Sequence, residues 1–117
     1  MVHTMRLRPH FFEKIIDQKK TIEIRLADEK RKRCHVGDTI VFYELPQCDK
    51  QVVVVVDQIE QYLSYEQLLR QNDVRSFGIT DYEVDAFLQE LQNIYPKQAV
   101  NECGLLGIHF HVSQNER

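Results

Sequence analysis

The chain alternates between stretches with the two-residue period of a strand and stretches with the longer period of a helix. Alternating or continuous apolar residues predict five strands, at residues 4–8, 21–26, 39–45, 51–62 and 105–112. Apolar residues spaced three and four apart predict three helices, which begin at Pro9 and at capping-box sequences opening with Ser64 and Thr80. The order β-α-β-β-β-α-α-β predicts an α+β domain with helices to one side of the sheet.

The second predicted strand separates its residues by polarity. Ile22, Ile24 and Leu26 fall on one face, whereas Glu23 and Arg25 fall on the other, which we expect to be exposed. Acid and base together on such a face indicate a site for a polar, anionic ligand. The alternative is an ion pair at the surface, which would contribute little to stability.

Lys20 precedes this strand and is out of phase with Glu23 and Arg25. Its side chain can lie on the same side of the strand as Glu23 and Arg25, and so line a cleft with them, only if Lys20 lies in the turn before regular alternation begins, or at a bulge. We therefore expect Lys20 outside the regular part of the strand.

The fourth predicted strand contains five consecutive valines, from Val52 to Val56. A run of this kind is typical of a strand buried on both faces and would favour aggregation at an exposed edge. We therefore expect both faces of this strand to be covered. Pro96 is predicted to end the third helix, ahead of the final strand.

The composition is that of a soluble globular protein, with 43% hydrophobic and 28% charged residues among 117. This length predicts one domain, residues 1–117. No apolar run approaches the roughly 20 residues that span a bilayer, and the chain opens onto a strand rather than a signal peptide. Cys34, Cys48 and Cys103 form no disulfide framework or C-x-x-C pair, which predicts a cytoplasmic location.

The net charge of −3 conceals a strong asymmetry along the chain. Residues 1–33 contain ten Lys or Arg and five Asp or Glu, so the remaining residues hold five basic and thirteen acidic ones. A surface that binds anions is therefore expected to come from the first third of the chain. The alternative is a solvated charged loop at residues 28–33, with acidic helices elsewhere.

Lys20, Glu23 and Arg25 match the signature G-x-K-x-x-E-x-R, with Gln18 in the position of the glycine. A basic loop and the turn at residues 36–38 follow in the expected order. On these residues the chain resembles the ASCH domain family, and among its members the small bacterial single-domain proteins. The resemblance implies a small β-barrel related to the PUA fold of RNA-modifying proteins, with flanking helices, and a monomeric protein.

The resemblance also implies a function, namely an RNA- or nucleotide-binding module. Its cleft would be lined by Lys20, Glu23 and Arg25, which would take an anionic or modified-base ligand. Lys30 and Arg31, in the loop that resembles the bacterial members, would flank this cleft and contact phosphate.

Tyr95 follows the last predicted helix and is the tyrosine we expect near the cleft, where it could stack on a base. The overall isoelectric point of about 5.9 is low for a nucleic-acid binder. A nucleotide or modified nucleoside therefore fits the sequence better than a long RNA.

A more distant resemblance, to a bacterial amidohydrolase that deacetylates acetylcytidine, leaves open whether the protein is an enzyme. Lys20 matches the lysine of that enzyme, and Glu23 stands where the enzyme has a threonine. Thr80 and Asp81 lie nearest to its glutamate. In this alternative Lys20 and Glu23 transfer protons during hydrolysis of a modified nucleoside. A third alternative is an accessory domain that serves a protein partner.

The histidines and cysteines do not predict a metal or cofactor site. His109 and His111 share one face of the last strand, but no third ligand has a recognisable spacing, although His3 would approach if the first and last strands paired. Cys34 and His35 are adjacent, so a strand would direct them to opposite faces.

Overall fold

The computed structural model describes residues 1–113 of the chain, which form five strands and four α-helices. In chain order they are β1 (Val2–Leu7), α1 (Pro9–Ile16), β2 (Ile22–Leu26), β3 (Thr39–Glu44), β4 (Gln51–Tyr62), α2 (Tyr65–Arg70), α3 (Val84–Ile94), α4 (Lys97–Cys103) and β5 (Leu105–Val112). The α+β class and all five strands are confirmed. Residues 114–117 of the predicted domain lie outside the described part.

The strands form one mixed sheet in the order β1-β3-β4-β5-β2. β1 runs parallel to β3, and the other neighbouring strands are antiparallel. The sheet curls into a half-barrel, which confirms the predicted barrel-like fold with flanking helices. β1 and β2 are the two edges of this sheet, although both lie in the first quarter of the chain.

Two hydrophobic clusters lie on the two faces of the sheet. One contains alternate residues of β1, β3, β4 and β5 together with Phe12 and Ile15 of α1. The other packs Ile22 and Ile24 of β2 under α2, α3 and α4. No helix in residues 1–113 is long and apolar enough to cross a membrane.

The valine run of β4 differs from the prediction. Val52, Val54 and Val56 are buried, whereas Val53 and Val55 are only partly covered. Burial therefore alternates along the strand, because the helices cover only part of its second face. A bulge follows Val56, where the register with β5 shifts.

The predicted capping box at Thr80 is confirmed, and the one at Ser64 is confirmed in one half, because the Gln67 side chain accepts from the amide of Leu63 rather than from that of Ser64. The Ser64 hydroxyl accepts from the Gln67 amide at 3.1 Å, and Glu83 accepts from the Thr80 amide at 2.8 Å, ahead of α3. Pro96 does end α3, but it also caps the short helix α4, which the sequence pattern did not reveal.

Candidate ligand-binding site

The polar face of β2 is not exposed, which corrects our expectation. Glu23 and Arg25 pair across the ladder with Ile108 and Leu106 of β5, both of which belong to the cluster inside the half-barrel. Glu23 is only 6% exposed. The apolar face of β2 is covered by helices, and its polar face is covered by the curl of the sheet, so both faces are buried.

Lys20 lies before β2, outside the regular part of the strand, as its spacing from Glu23 predicted. It forms an isolated bridge with Phe77 of the loop between α2 and α3. The turn that leads to it contains Gln18 in a left-handed conformation, with φ of 61°. Only 3% of Lys20 is exposed, and its ammonium lies 3.1 Å from Glu23 Oε1.

The three N–H donors of the Lys20 ammonium are all directed at protein oxygens. Besides Glu23, they face the carbonyl of Ile22 at 2.8 Å and that of Phe77 at 3.5 Å. The ammonium also lies 5.2 Å from the centre of the Phe11 ring. Burial lowers the pKa of Lys20, and the Glu23 carboxylate opposes this change only in part. Through its 3.1 Å contact with Oε1, Lys20 supports the Glu23 carboxylate at the bottom of the site.

Each carboxylate oxygen of Glu23 contacts one cation, Lys20 through Oε1 and Arg25 Nε through Oε2 at 2.6 Å. Burial alone would raise the pKa of Glu23, but the charges of Arg25 and Lys20 outweigh it and lower the pKa. Glu23 is therefore ionised at neutral pH. The side chains of Glu23 and Arg25 are 8% and 14% exposed, so the alternative of a surface ion pair is wrong.

Arg25 connects the site to the opposite edge of the sheet, because its Nη2 donates to the carbonyl of Arg6 on β1 at 3.1 Å. Burial would lower the pKa of Arg25, but Glu23 and then Tyr95 raise it overall. Tyr95, just after α3, is held in place by the Tyr65 hydroxyl, which donates to its carbonyl at 2.7 Å. Burial raises the pKa of Tyr95, so its own hydroxyl remains a donor.

These side chains line a cleft of about 220 Å³ between β1, β2, α1 and α3. Four of the six predicted site residues, Lys20, Glu23, Arg25 and Tyr95, face it together. Phe11 forms part of its wall, and was not predicted. Ligand pockets for drug-sized molecules occupy roughly 300–1,000 Å³. This cleft therefore has room for one base or nucleoside rather than for a longer segment.

A second pocket of about 480 Å³ adjoins the cleft. The other two predicted residues, Lys30 and Arg31, line it together with Arg6 and Arg25, and Arg25 and Arg6 also line the cleft. Arg6 was missed because its position depends on the curl that brings β1 near β2. No local pattern in the sequence signals this long-range arrangement.

The ASCH domain family model matches residues 5–112 of this chain. The chain belongs to the ASCH domain family. The fold of this family is PUA-like, in agreement with the half-barrel and its flanking helices. The chain matches no protein among those with curated descriptions.

Several solved structures resemble this ASCH domain along most of its length. The hypothetical protein PH0355 is 25% identical, with a TM-score of 0.81 over 97% of this chain and 100% of the other. Protein PF0455 from Pyrococcus furiosus is 27% identical, with a TM-score of 0.76 over 97% and 99%. An ASCH domain from Lactobacillus crispatus is 12% identical, with a TM-score of 0.66 over 94% and 79%, and shares the fold.

Thr80 and Asp81 do not enter the cleft of this ASCH domain. They form the capped turn ahead of α3, and neither lines the cleft or the adjoining pocket. A second carboxylate does line the cleft, but it belongs to Glu90 of α3, which is paired with Arg8. Thr80 and Asp81 therefore contribute no group to the cleft.

The predicted histidine pair also remains apart from the site. His109 opposes Ile22 on the helix-covered face, and His111 contacts Asp57 at 2.7 Å. His3 does not approach them, because β1 pairs with β3 rather than with β5.

His3 instead forms a group with Cys34 and Asp38, which the sequence spacing did not indicate. Their potential ligand atoms lie within 4.8 Å of one another. His3 Nε2 lies 2.8 Å from Asp38 Oδ2, which also accepts from the His35 amide at 2.9 Å. Hydrogen bonding accounts for the contact between His3 and Asp38, and Cys34 belongs to the hydrophobic cluster inside the half-barrel.

Proposed function

We propose that this ASCH domain binds one base of a nucleotide or modified nucleoside, free or within RNA, in the cleft. The observation that carries this proposal is the buried, ionised carboxylate of Glu23 beside a cleft of about 220 Å³. A buried charge is costly unless it is paired, and here Lys20 and Arg25 both pair with it. The site is therefore preorganised to present an acceptor to a polar ligand.

Glu23 has acceptor capacity left for a ligand. A carboxylate offers about four lone-pair positions, of which Lys20 and Arg25 use two. An exocyclic amino group, as in cytosine or adenine, is a suitable donor, and carboxylates commonly accept from cytosine. Glu23 thus supplies the specificity of the site in this proposal.

Aromatic rings on two sides of the cleft support a planar ligand. Phe11 of α1 and Tyr95 after α3 both line it. Stacking of a base on an aromatic side chain contributes about 1–3 kcal/mol and tolerates different bases. The association of ASCH domains with RNA binding agrees with such a ligand.

The test is calorimetric titration with nucleosides and nucleotides that carry or lack an exocyclic amino group. We expect Glu23→Gln to weaken binding of the amino-bearing bases by about tenfold or more, and Tyr95→Ala to weaken all bases. Asp57→Asn, a change at an exposed acid outside the cleft, is the control. Absence of binding by every nucleoside and nucleotide at millimolar concentration would overturn the proposal.

The alternative function, hydrolysis of an acylated nucleoside, is favoured by one observation. Burial lowers the pKa of Lys20, and a lysine with a lowered pKa can serve as a general base. A mass-spectrometric assay on acylated nucleosides tests it, with Lys20→Ala as the inactive variant and Lys19→Ala, at the exposed neighbouring lysine, as the control. Turnover that persists in Lys20→Ala would exclude this role. The cytoplasmic location and monomeric state predicted from the sequence remain part of the proposal.

A further inference from the structure

We infer that the pocket lined by Arg6, Arg25, Lys30 and Arg31 is a phosphate subsite, so that the ligand carries a phosphate next to the base held in the cleft. The inference extends the proposed function and rests on it for the identity of the base. The charge of the pocket is an independent observation. The inference gives Arg6 a role in binding phosphate, and it does not require Lys20 to bind phosphate.

The pocket has four cations and no carboxylate among the residues that line it. Within residues 1–113, the side chains of Arg6, Lys30 and Arg31 make no hydrogen bond or ion pair. The nearby acid Asp28 uses its carboxylate to accept from the backbone amide of Arg31, at 2.9 Å. Most surface cations are solvated singly, but here four of them share one concave site, which is typical of a site for a polyanion.

Electrostatics within the pocket agree with a site for an anion. Burial and then the neighbouring charge of Arg25 lower the pKa of Arg31. The attraction of Tyr95, Asp28 and Glu23 offsets this change only in part. Like charges that are held together in this way repel one another. A phosphate placed among them would relieve the repulsion and would accept charge-assisted hydrogen bonds.

Arg25 joins the two sites. Of the five N–H donors of a guanidinium, one is used on Glu23, one on the carbonyl of Arg6 and one on the Tyr95 hydroxyl, so two remain. Since Arg25 and Arg6 line both spaces, a base beside Glu23 and a phosphate beside Arg31 would belong to one ligand. The planar fork of arginine suits phosphate oxygens better than the ammonium of Lys20, whose donors face protein oxygens.

The experiment compares a nucleoside, its 5′- and 3′-monophosphates, inorganic phosphate and a short oligoribonucleotide of the same base, by titration against the full chain. We expect a monophosphate to bind at least about tenfold more tightly than the nucleoside. Arg31→Gln, at a residue that lines the cationic pocket and not the cleft, should bring this ratio close to one and leave nucleoside affinity unchanged. Arg6→Gln, at a residue that lines both spaces, should also lower the ratio. Lys32→Gln and Arg33→Gln alter the next two cations of the same loop, which line neither space, and should preserve the ratio.

The outcomes separate this inference from the proposed function. Equal affinity for nucleoside and monophosphates would overturn the phosphate subsite and leave base binding intact. Binding of inorganic phosphate that depends on Arg31, without any nucleoside binding, would support the subsite and overturn the proposed base site. Tighter binding of the oligoribonucleotide than of either monophosphate would support the subsite with RNA as the source of the phosphate. Circular dichroism of each variant verifies that it is folded.

Discussion

The guanidinium of Arg25 donates a hydrogen bond to the carbonyl of Arg6 at 3.1 Å, and so joins the two edges of the sheet. Arg25 lies on β2 and Arg6 on β1, which are the last and first strands in the order of the sheet. No backbone ladder connects these strands. A single side chain thus spans the opening of the half-barrel at the point where the cleft and the cationic pocket meet.

Arg25→Gln should destabilise the protein, because it removes the link to Arg6 and leaves Glu23 with Lys20 as its one cationic partner. Loss of one partner from a buried ion pair typically costs about 3–5 kcal/mol. Arg25 is slightly exposed and Lys20 remains, so we expect a loss of about 2–3 kcal/mol. Urea denaturation measures this change.

The control for Arg25 is Arg8→Gln, since Arg8 forms its ion pair with Glu90 at the surface. Exposed ion pairs contribute about 0–1 kcal/mol, so this substitution should change the free energy of unfolding by less than that amount. Equal losses from Arg25→Gln and Arg8→Gln would contradict a special structural role for Arg25.

Much of the fold could be predicted from the sequence, because period and capping are local signals. The strand at residues 51–62 and the capped helix after Thr80 are examples. Helix α4 is only seven residues long and follows Pro96 directly, so its periodic signal is too short to recognise. The burial of Glu23 was mispredicted because the alternation of a strand reports which residues share a face, and does not report what covers that face.

The site could be predicted only in part. Its members Lys20, Glu23 and Arg25 lie close in the chain and follow a family signature. Phe11 and Arg6 reach the site through the packing of α1 and the curl of the sheet. Contacts of this kind depend on the tertiary structure, so no spacing in one sequence reveals them.

The stability of the protein should depend on pH through Glu23. The folded-state pKa of Glu23 lies below its usual 4.5, so ionised Glu23 stabilises the fold fully above about pH 4.5. This contribution is lost as the pH falls through the lowered pKa. The stability difference between wild type and Glu23→Gln should therefore be largest at neutral pH and shrink as the pH falls below about 4.5, as urea denaturation at several pH values would show. A difference that stays constant with pH would contradict this assignment.

Gly78→Ala should lower the free energy of unfolding and displace the side chain of Lys20. Gly78 has φ of +87°, and an added Cβ would lie 3.1 Å from Cβ of Lys20 and 3.3 Å from that of Lys14. The left-handed backbone alone costs a residue with a side chain about 1–2 kcal/mol, and the crowding adds to this cost. Thermal or urea denaturation measures the loss, and titration with the nucleoside that binds should show weaker binding because Lys20 supports Glu23.

Gly37→Ala provides a matched control for Gly78→Ala. Gly37 has a similar φ of +92°, but an added Cβ there has no atom within 4 Å. Gly37→Ala should therefore lower the free energy of unfolding through the left-handed backbone alone, without steric crowding. Ligand affinity should be unchanged. If Gly37→Ala destabilised the protein as much as Gly78→Ala, contact with Lys20 would not be a source of strain.

Gln18 stands where the family signature has glycine, and its φ of 61° gives the physical reason for that glycine. A left-handed residue with a side chain is strained by about 1–2 kcal/mol, whereas added freedom of the unfolded chain costs a glycine about 0.4–1 kcal/mol. Gln18→Gly should therefore raise the free energy of unfolding by about 0.5 kcal/mol, and the β-branched Gln18→Val should lower it. Lys19 has no positive φ, so Lys19→Gly relieves no strain in the folded protein. It only increases the freedom of the unfolded chain, and should therefore lower the free energy of unfolding. Urea denaturation of the three variants would contradict this account if Gln18→Gly and Lys19→Gly changed stability in the same direction.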